Sequence, residues 1–284
     1  MVVYSYRGER LAEHSYLVLR LYCGAFGTTH EKLVAKRLNM DPEPVAMSLR
    51  VACLLHDAGK ALVKFQEGVK QGRGMPFHEV VSAVLVYDTL IFGLFDKGAV
   101  VRQALSFAAS YAVLQHHQAM RGFRVILQKG QEYLTRLGCD LDNYVVDEMR
   151  LAARMAENLL DGGSVLNAFE RSVQRASQEG LCIMLQEFIS NFMDIAGGRA
   201  PASVAVNKSS EWATTMQRLE AVLPLFSAPL QLSDYLAAYL TRGGRLRALH
   251  RETLLMLRRA RSNSLGSVRA STPIAPRPNP CRLA

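Results

Sequence analysis

The sequence predicts an all-α fold of about ten helices with a disordered C-terminal tail. Three observations carry that expectation. Apolar residues recur at helical rather than alternating spacing over most of the chain. Helix-start signals stand where those runs begin, as Asp41 and Pro42 do before "EPVAMSLRVACLLHD". From Ser262 onward the chain turns to Ser and Pro with few large apolar groups, too few to offset the entropy of ordering.

Taken in order, helical patterns fit Glu9 to Phe26 and Thr29 to Leu38. The next helix has Asp41 as its N-cap and Pro42 at the first helical position, where a missing N–H costs nothing, and Gly59 closes it. The most apolar stretch, Val80 to Val101, is interrupted by Asp88 and Asp96, so it reads as buried helix and not as a membrane span. It falls within patterns over His78 to Phe95 and Ala99 to Leu114. Val145 to Leu160, Leu181 to Ile195, Glu211 to Leu223 and Leu232 to Tyr239 follow. Strand-like alternation is scarce. No period recurs and no long linker divides the chain, which predicts one domain over 1–261 and a tail over 262–284. With 284 residues and 49% hydrophobic content, such a domain can bury a sizeable core.

Charge narrows the partner class. Lys and Arg total 34 against 25 Asp and Glu, a net charge of +9 that favours polyanions such as nucleic acid. From Arg242 to Arg261 seven arginines face a single acid, Glu252. That run is either a solvated helix face with snorkelling arginines or a phosphate-binding surface. The five cysteines, Cys23, Cys53, Cys139, Cys182 and Cys281, form no CxxC pair. Their scatter argues against a disulfide framework or thiolate metal site and fits a reducing cytoplasm. The N-terminus has no signal-peptide pattern, so a soluble intracellular protein is expected.

Histidine is the informative residue. His14, His56, His78, His116 and His117 are each flanked by apolar residues, whereas His30 and His250 stand in charged settings and read as exposed. One buried histidine is ordinarily a hydrogen-bonded core residue. Five without a common partner would cost several kcal/mol of desolvation, a cost that shared metal ions remove. Neighbouring helical positions point about 100° apart, so His56 and Asp57 suit two adjacent ions better than one. Through its two oxygens Asp57 could bridge metals roughly 3.5 to 4 Å apart, a spacing used for in-line attack on phosphodiesters. Imidazole-rich ligation favours Mn, Fe, Co, Ni, Cu or Zn over Mg or Ca.

"HDAGK", His56 to Lys60, resembles the signature of the HD phosphohydrolase superfamily. The order "LLHDAGKALVKFQ", "FHEVVSA", "LQHHQ" further resembles the CRISPR-associated HD-domain nucleases of type I interference systems, with Phe65-Gln66 and Ser82-Ala83 matching the pattern. The resemblance spans His14 to Gln118. It implies an HD-domain helical bundle holding two divalent transition-metal ions, with Mn, Co, Ni or Fe favoured over Mg. His14 and His56 would share one ion, His78, His116 and His117 would hold the other, and Asp57 would bridge them. A distal aspartate is also implied: Asp234 in "LQLSDYLAAYL" is preferred to Asp194 in "NFMDIAGG", although Asp234 could simply favour a helix first turn. Lys60 would steady charge developing on phosphoryl oxygens, or else be a solvated lysine at a helix end. Lys64 reads as surface and Trp212 as packing.

The activity implied is hydrolysis of single-stranded DNA in the cytoplasm. The implied partners are a separate CRISPR helicase subunit and a crRNA-guided surveillance complex, with no membrane. The chain has no GxxxxGK[ST] loop, so it is not the ATP-driven motor. Two other functions are open: another HD-type nucleotide or cyclic-dinucleotide phosphohydrolase, and a non-catalytic subunit that keeps the fold as an interaction module. The first is weakened by "QAMRGF" after His117, where the cyclic-dinucleotide class has Glu and Gly-Tyr-Pro elements.

Overall fold

Pro42 opens a helix that runs to Leu55, with extended backbone at Asp41 (φ −63°, ψ 142°) as its N-cap. The computed structural model describes residues 2–71, 76–117, 122–137, 143–160, 162–204 and 206–242. The proposed tail and the arginine run beyond Arg242, with His250, Cys139 and Cys281, lie outside the described residues.

Among the described residues there are eleven α-helices and one small hairpin, so the all-α expectation holds. Strand β1 (Tyr4–Tyr6) pairs antiparallel with β2 (Glu9–Arg10). The first helix therefore starts at Leu11 and not at Glu9. In order the helices are α1 (Leu11–Ala25), α2 (Gly27–Leu38), α3 (Pro42–Leu55), α4 (Val63–Lys70), α5 (His78–Gly93), α6 (Ala99–Gln115), α7 (Phe123–Leu137), α8 (Asn143–Met155), α9 (Gly162–Glu179), α10 (Leu181–Ala196) and α11 (Ser209–Thr241). Every residue of α5 from His78 to Leu90 is buried, so it lies inside the bundle, as a helix apolar on all sides must. It packs against α6 and α9, while α6 also meets α3 and α11. No described helix is long and apolar enough to cross a membrane.

The differences from the sequence reading have physical causes. Helices α4, α7 and α9 were not expected. In α7 the pattern is broken by Gly130, yet a β-carbon there would stand 2.6 Å from Val80 Cγ2, so the glycine permits the close approach of α7 to α5. The patterns ending at Leu223 and restarting at Leu232 are one helix, α11, which continues through Pro224 and Pro229. Each proline leaves the carbonyl four residues earlier without its helical donor. The one released by Pro229, on Leu225, faces the His30 ring of α2. Burial of Leu219, Val222, Phe226 and Leu230 holds the helix together across the break. The cysteine reading is corrected as well. Cys23 and Cys182 stand in disulfide bonds, and Cys53 is a free, buried thiol. Short-range spacing carries no information on pairings that tertiary folding creates.

Candidate metal centre

The centre is built largely from helix ends. Helix α3 stops at Leu55, His56 caps it (φ −55°, ψ −31°), and Asp57 leaves helical geometry (φ −109°, ψ 7°). A 3-10 turn over Ala58–Ala61 follows, closed by the Lys60 N–H donating to the Asp57 carbonyl at 2.9 Å. The expected splay of His56 and Asp57 along one helix is thus replaced by a turn. His116 caps α6 and His117 follows it, so His56 and His116 sit at C-terminal helix ends, where the helix dipole favours positive charge. His78 is the first residue of α5, His14 lies in the first turn of α1, and Asp234 comes from within α11.

Gly59 clamps the turn onto α5. Its N–H donates to Ser82 Oγ at 2.9 Å, and the Ser82 hydroxyl donates to the His78 carbonyl at 3.1 Å. A β-carbon at Gly59 would lie 2.2 Å from that same carbonyl oxygen. Gln66 fastens the other side: its amide nitrogen donates to the Lys60 carbonyl (2.6 Å) and the Tyr4 carbonyl (2.8 Å), while its oxygen accepts from the Tyr4 N–H (2.9 Å). The Gln66 and Ser82 of the motif pattern are therefore supports of the turn.

Asp57 is the hub. Its Oδ2 lies 3.5 Å from His14 Nε2 and 3.5 Å from His56 Nε2, and its Oδ1 lies 3.2 Å from His78 Nε2, 3.5 Å from His116 Nε2 and 3.9 Å from His117 Nε2. Asp234 Oδ1 is 3.0 Å from His14 Nε2 and 3.6 Å from His56 Nε2. Two donor sets result, Asp57 with His78, His116 and His117, and His14 with His56 and Asp234; within each, the ligand atoms lie within 4.8 Å of one another. The donors are buried except His117, whose side chain is 31% exposed and marks the open side.

The donor chemistry fits metal ions. His56 Nδ1–H donates to the Cys53 carbonyl at 2.9 Å and His116 Nδ1–H to the Val113 carbonyl at 2.5 Å, which turns each bare Nε2 toward the hub. His56 Nε2, His116 Nε2 and Asp57 Oδ1 are buried and make no hydrogen bond among the described residues. Buried polar atoms are rarely left so, and three aimed at one spot are what cation ligands look like.

Lys60 is buried, and its Nζ donates to Asp57 Oδ2 at 2.6 Å. The solvated-lysine alternative is therefore excluded. All eight expected site residues converge, Asp234 among them. Asp194 instead pairs at the surface with Arg199. Lys64 is exposed and Trp212 buried, as expected. His30 is corrected: it is half-buried, its Nδ1 is 3.3 Å from the Tyr22 hydroxyl, and burial lowers its pKa, because α2 folds against α11. The reading missed Glu9, whose Oε1 lies 2.9 Å from His14 Nδ1; no local motif flags a carboxylate there.

The cluster's charges are strongly coupled. Burial opposes charge on Asp57, but Lys60 and His56 hold its carboxyl well below the usual range. Asp234 is likewise lowered against burial, by the hydrogen bond with His14 and by the neighbouring His56 ring. Burial also resists protonation of His14, yet Asp234 and Glu9 raise it to about 9. His116 is raised against burial by Asp57. Burial lowers His56; His117, though open to solvent on one side, is taken well down by its partial desolvation and by the neighbouring His116 and His78.

A pH optimum follows for the metal-free protein. A histidine raised on folding contributes stability that is complete below its unfolded value of 6.5 and lost as pH climbs through its folded value, about 9 for His14. A histidine lowered on folding acts oppositely, and its stability is lost as pH falls below 6.5. Thermal melts of chelator-treated protein between pH 5 and 9.5 are therefore expected to peak near pH 6.5. A melting temperature still rising at pH 9 would contradict these assignments.

Compared with protein-family models, curated proteins and solved structures, the chain matches none.

Proposed function

We propose that the chain is a metal-dependent deoxyribonuclease that hydrolyses phosphodiester bonds of single-stranded DNA, on the pattern of the CRISPR-associated HD-domain nucleases. It would act in the cytoplasm beside a separate helicase and a crRNA-guided surveillance complex. The observation that carries the reading is a buried carboxylate, Asp57, with one imidazole-rich donor set on each of its oxygens. His14, His56 and Asp234 would hold one ion and His78, His116 and His117 the other, with Asp57 between them. A divalent pair there supplies Lewis-acid neutralisation of a phosphoryl group and acidifies water. The chain's own residues orient and exclude water: the Cys53 and Val113 carbonyls fix the His56 and His116 rings, and burial keeps the hub dry. His117 lies on the side from which a phosphate enters, and Lys60 adds positive charge beside the hub where phosphoryl oxygens gather.

Metal analysis of the purified protein, followed by incubation with single-stranded DNA, duplex DNA, RNA and nucleotides, tests the reading. Cleavage of single-stranded DNA is the expected result. Turnover of nucleotides or cyclic dinucleotides alone would favour the other hydrolase class, and a metal-loaded but inert protein would favour an interaction module.

Chelator-stripped protein is expected to recover activity with Mn, Co or Ni and much less with Mg, because imidazole-rich shells disfavour Mg. Rescue by Mg alone would tell against histidine ligation.

The arginine run, outside the described residues beyond Arg242, gives a separate expectation. Replacing Arg258, Arg259 and Arg261 with Gln should weaken DNA binding regardless of base sequence and flatten the salt dependence of log affinity by roughly 0.7 per lost phosphate contact. Turnover at saturating DNA should hold, since only binding common to ground and transition states is lost. An unchanged salt slope in a folded variant removes this run from the DNA path.

A further inference from the structure

We propose that Glu9 is the positioning residue of His14, fixing Nε2 as the nitrogen that this histidine offers to the set formed with His56 and Asp234; the inference rests on the metal reading of the centre. His56 and His116 are oriented by carbonyls three residues back in their own helices. His14 has the hairpin and not a helical turn behind it. Its Nδ1 instead faces Glu9 Oε1 at 2.9 Å, and an acceptor-only carboxylate keeps a hydrogen on that nitrogen when the other is given up to a metal ion. The opposite nitrogen is then the one facing Asp234 Oδ1 at 3.0 Å and Asp57 Oδ2 at 3.5 Å.

Glu9 is itself held from both ends of the described chain. On Oε2 it accepts from the Ser5 hydroxyl at 2.8 Å and from Arg242 Nε and Nη2 at 2.9 and 2.7 Å; on Oε1 it accepts from the Thr241 hydroxyl at 2.5 Å. Ser5 belongs to β1, Thr241 ends the helix that carries Asp234, and Arg242 follows it. The Glu9 side chain is 7% exposed and has little freedom to turn away. One clasp thus sets the His14 ring and the end of α11 together. A clasp with only a structural role would leave the two donor sets equally affected.

Titration calorimetry of the chelator-stripped full chain with Mn²⁺ separates the two roles. Wild type is expected to fill two sites. In folded Glu9→Gln one affinity should fall by about 10- to 100-fold, the usual range for a lost partner of a metal-bound histidine, while the other stays within about twofold. In a His117→Ala background, which weakens the opposite set, adding Glu9→Gln should reduce the remaining tight site. Two unaltered affinities, or two lowered alike, overturn the assignment. Should Glu9→Gln fail to fold, Glu9→Asp, which keeps the charge but withdraws it by one methylene, is read by the same criterion. A wild-type chain that takes up no Mn²⁺ overturns the metal centre and this inference with it, whereas two sites indifferent to Glu9 overturn this inference alone.

Discussion

Asp57→Asn is expected to abolish phosphodiester hydrolysis, with a loss on the order of a thousandfold or more, while the chain still folds. The magnitude follows from the several kcal/mol that a metal pair contributes to transition-state charge, at about 1.4 kcal/mol per factor of ten. Asp57 reaches His14 and His56 through one oxygen and His78, His116 and His117 through the other, and Asn offers neither the charge nor a second oxygen. The substitution also leaves the buried Lys60 ammonium beside a neutral amide, so the melting temperature should fall. The amide oxygen can still accept from Lys60, and the surrounding apolar core is untouched. Activity of the folded variant and its Mn²⁺ stoichiometry are the readouts. Near-normal turnover would sink the two-metal scheme.

The second large effect is expected at Gly59→Ala. A β-carbon there would meet the His78 carbonyl oxygen at 2.2 Å and Val81 Cβ at 2.9 Å, and neither is the far end of a flexible side chain. Either the turn or the start of α5 has to move. Overpacking of this kind costs about 1–3 kcal/mol, a melting shift of roughly 2–4 °C per kcal/mol in a chain of this size. The displacement also moves His78 relative to Asp57, so Mn²⁺ affinity and activity should fall by more than stability alone explains. Gly130→Ala is the comparison. Its β-carbon would press on the Val80 side chain, 2.6 Å away, with no contact to the motif turn. It should lower the melting temperature and leave turnover of the folded protein intact. Equal activity losses in the two variants would show that Gly59 matters only through packing.

Much of this protein was legible before folding because the signals are local. The helices α3, α5, α6 and α10 follow from apolar spacing, and α3 also from Asp41 and Pro42, since helical hydrogen bonds and caps are made within a few residues. The donors were legible for a related reason: histidines and an aspartate set among apolar residues are costly to bury without a partner. What spacing could not show is which oxygen of Asp57 faces which ring, because that depends on α3 ending at Leu55 and on a turn held by Ser82 and Gln66 from elsewhere in the chain. The prolines of α11 are tolerated and the glycine of α7 is required through contacts with other helices, which no local rule contains. Glu9 is the clearest case. In sequence it is one acid before an apolar run, and only the return of α11 to the hairpin brings Thr241 and Arg242 onto its carboxylate and Asp234 onto His14. The sequence by itself determined the helical class and singled out the histidines and aspartates that gather at one place, through interactions a few residues long; the tertiary structure decided their arrangement, because it depends on contacts between residues as much as 233 positions apart.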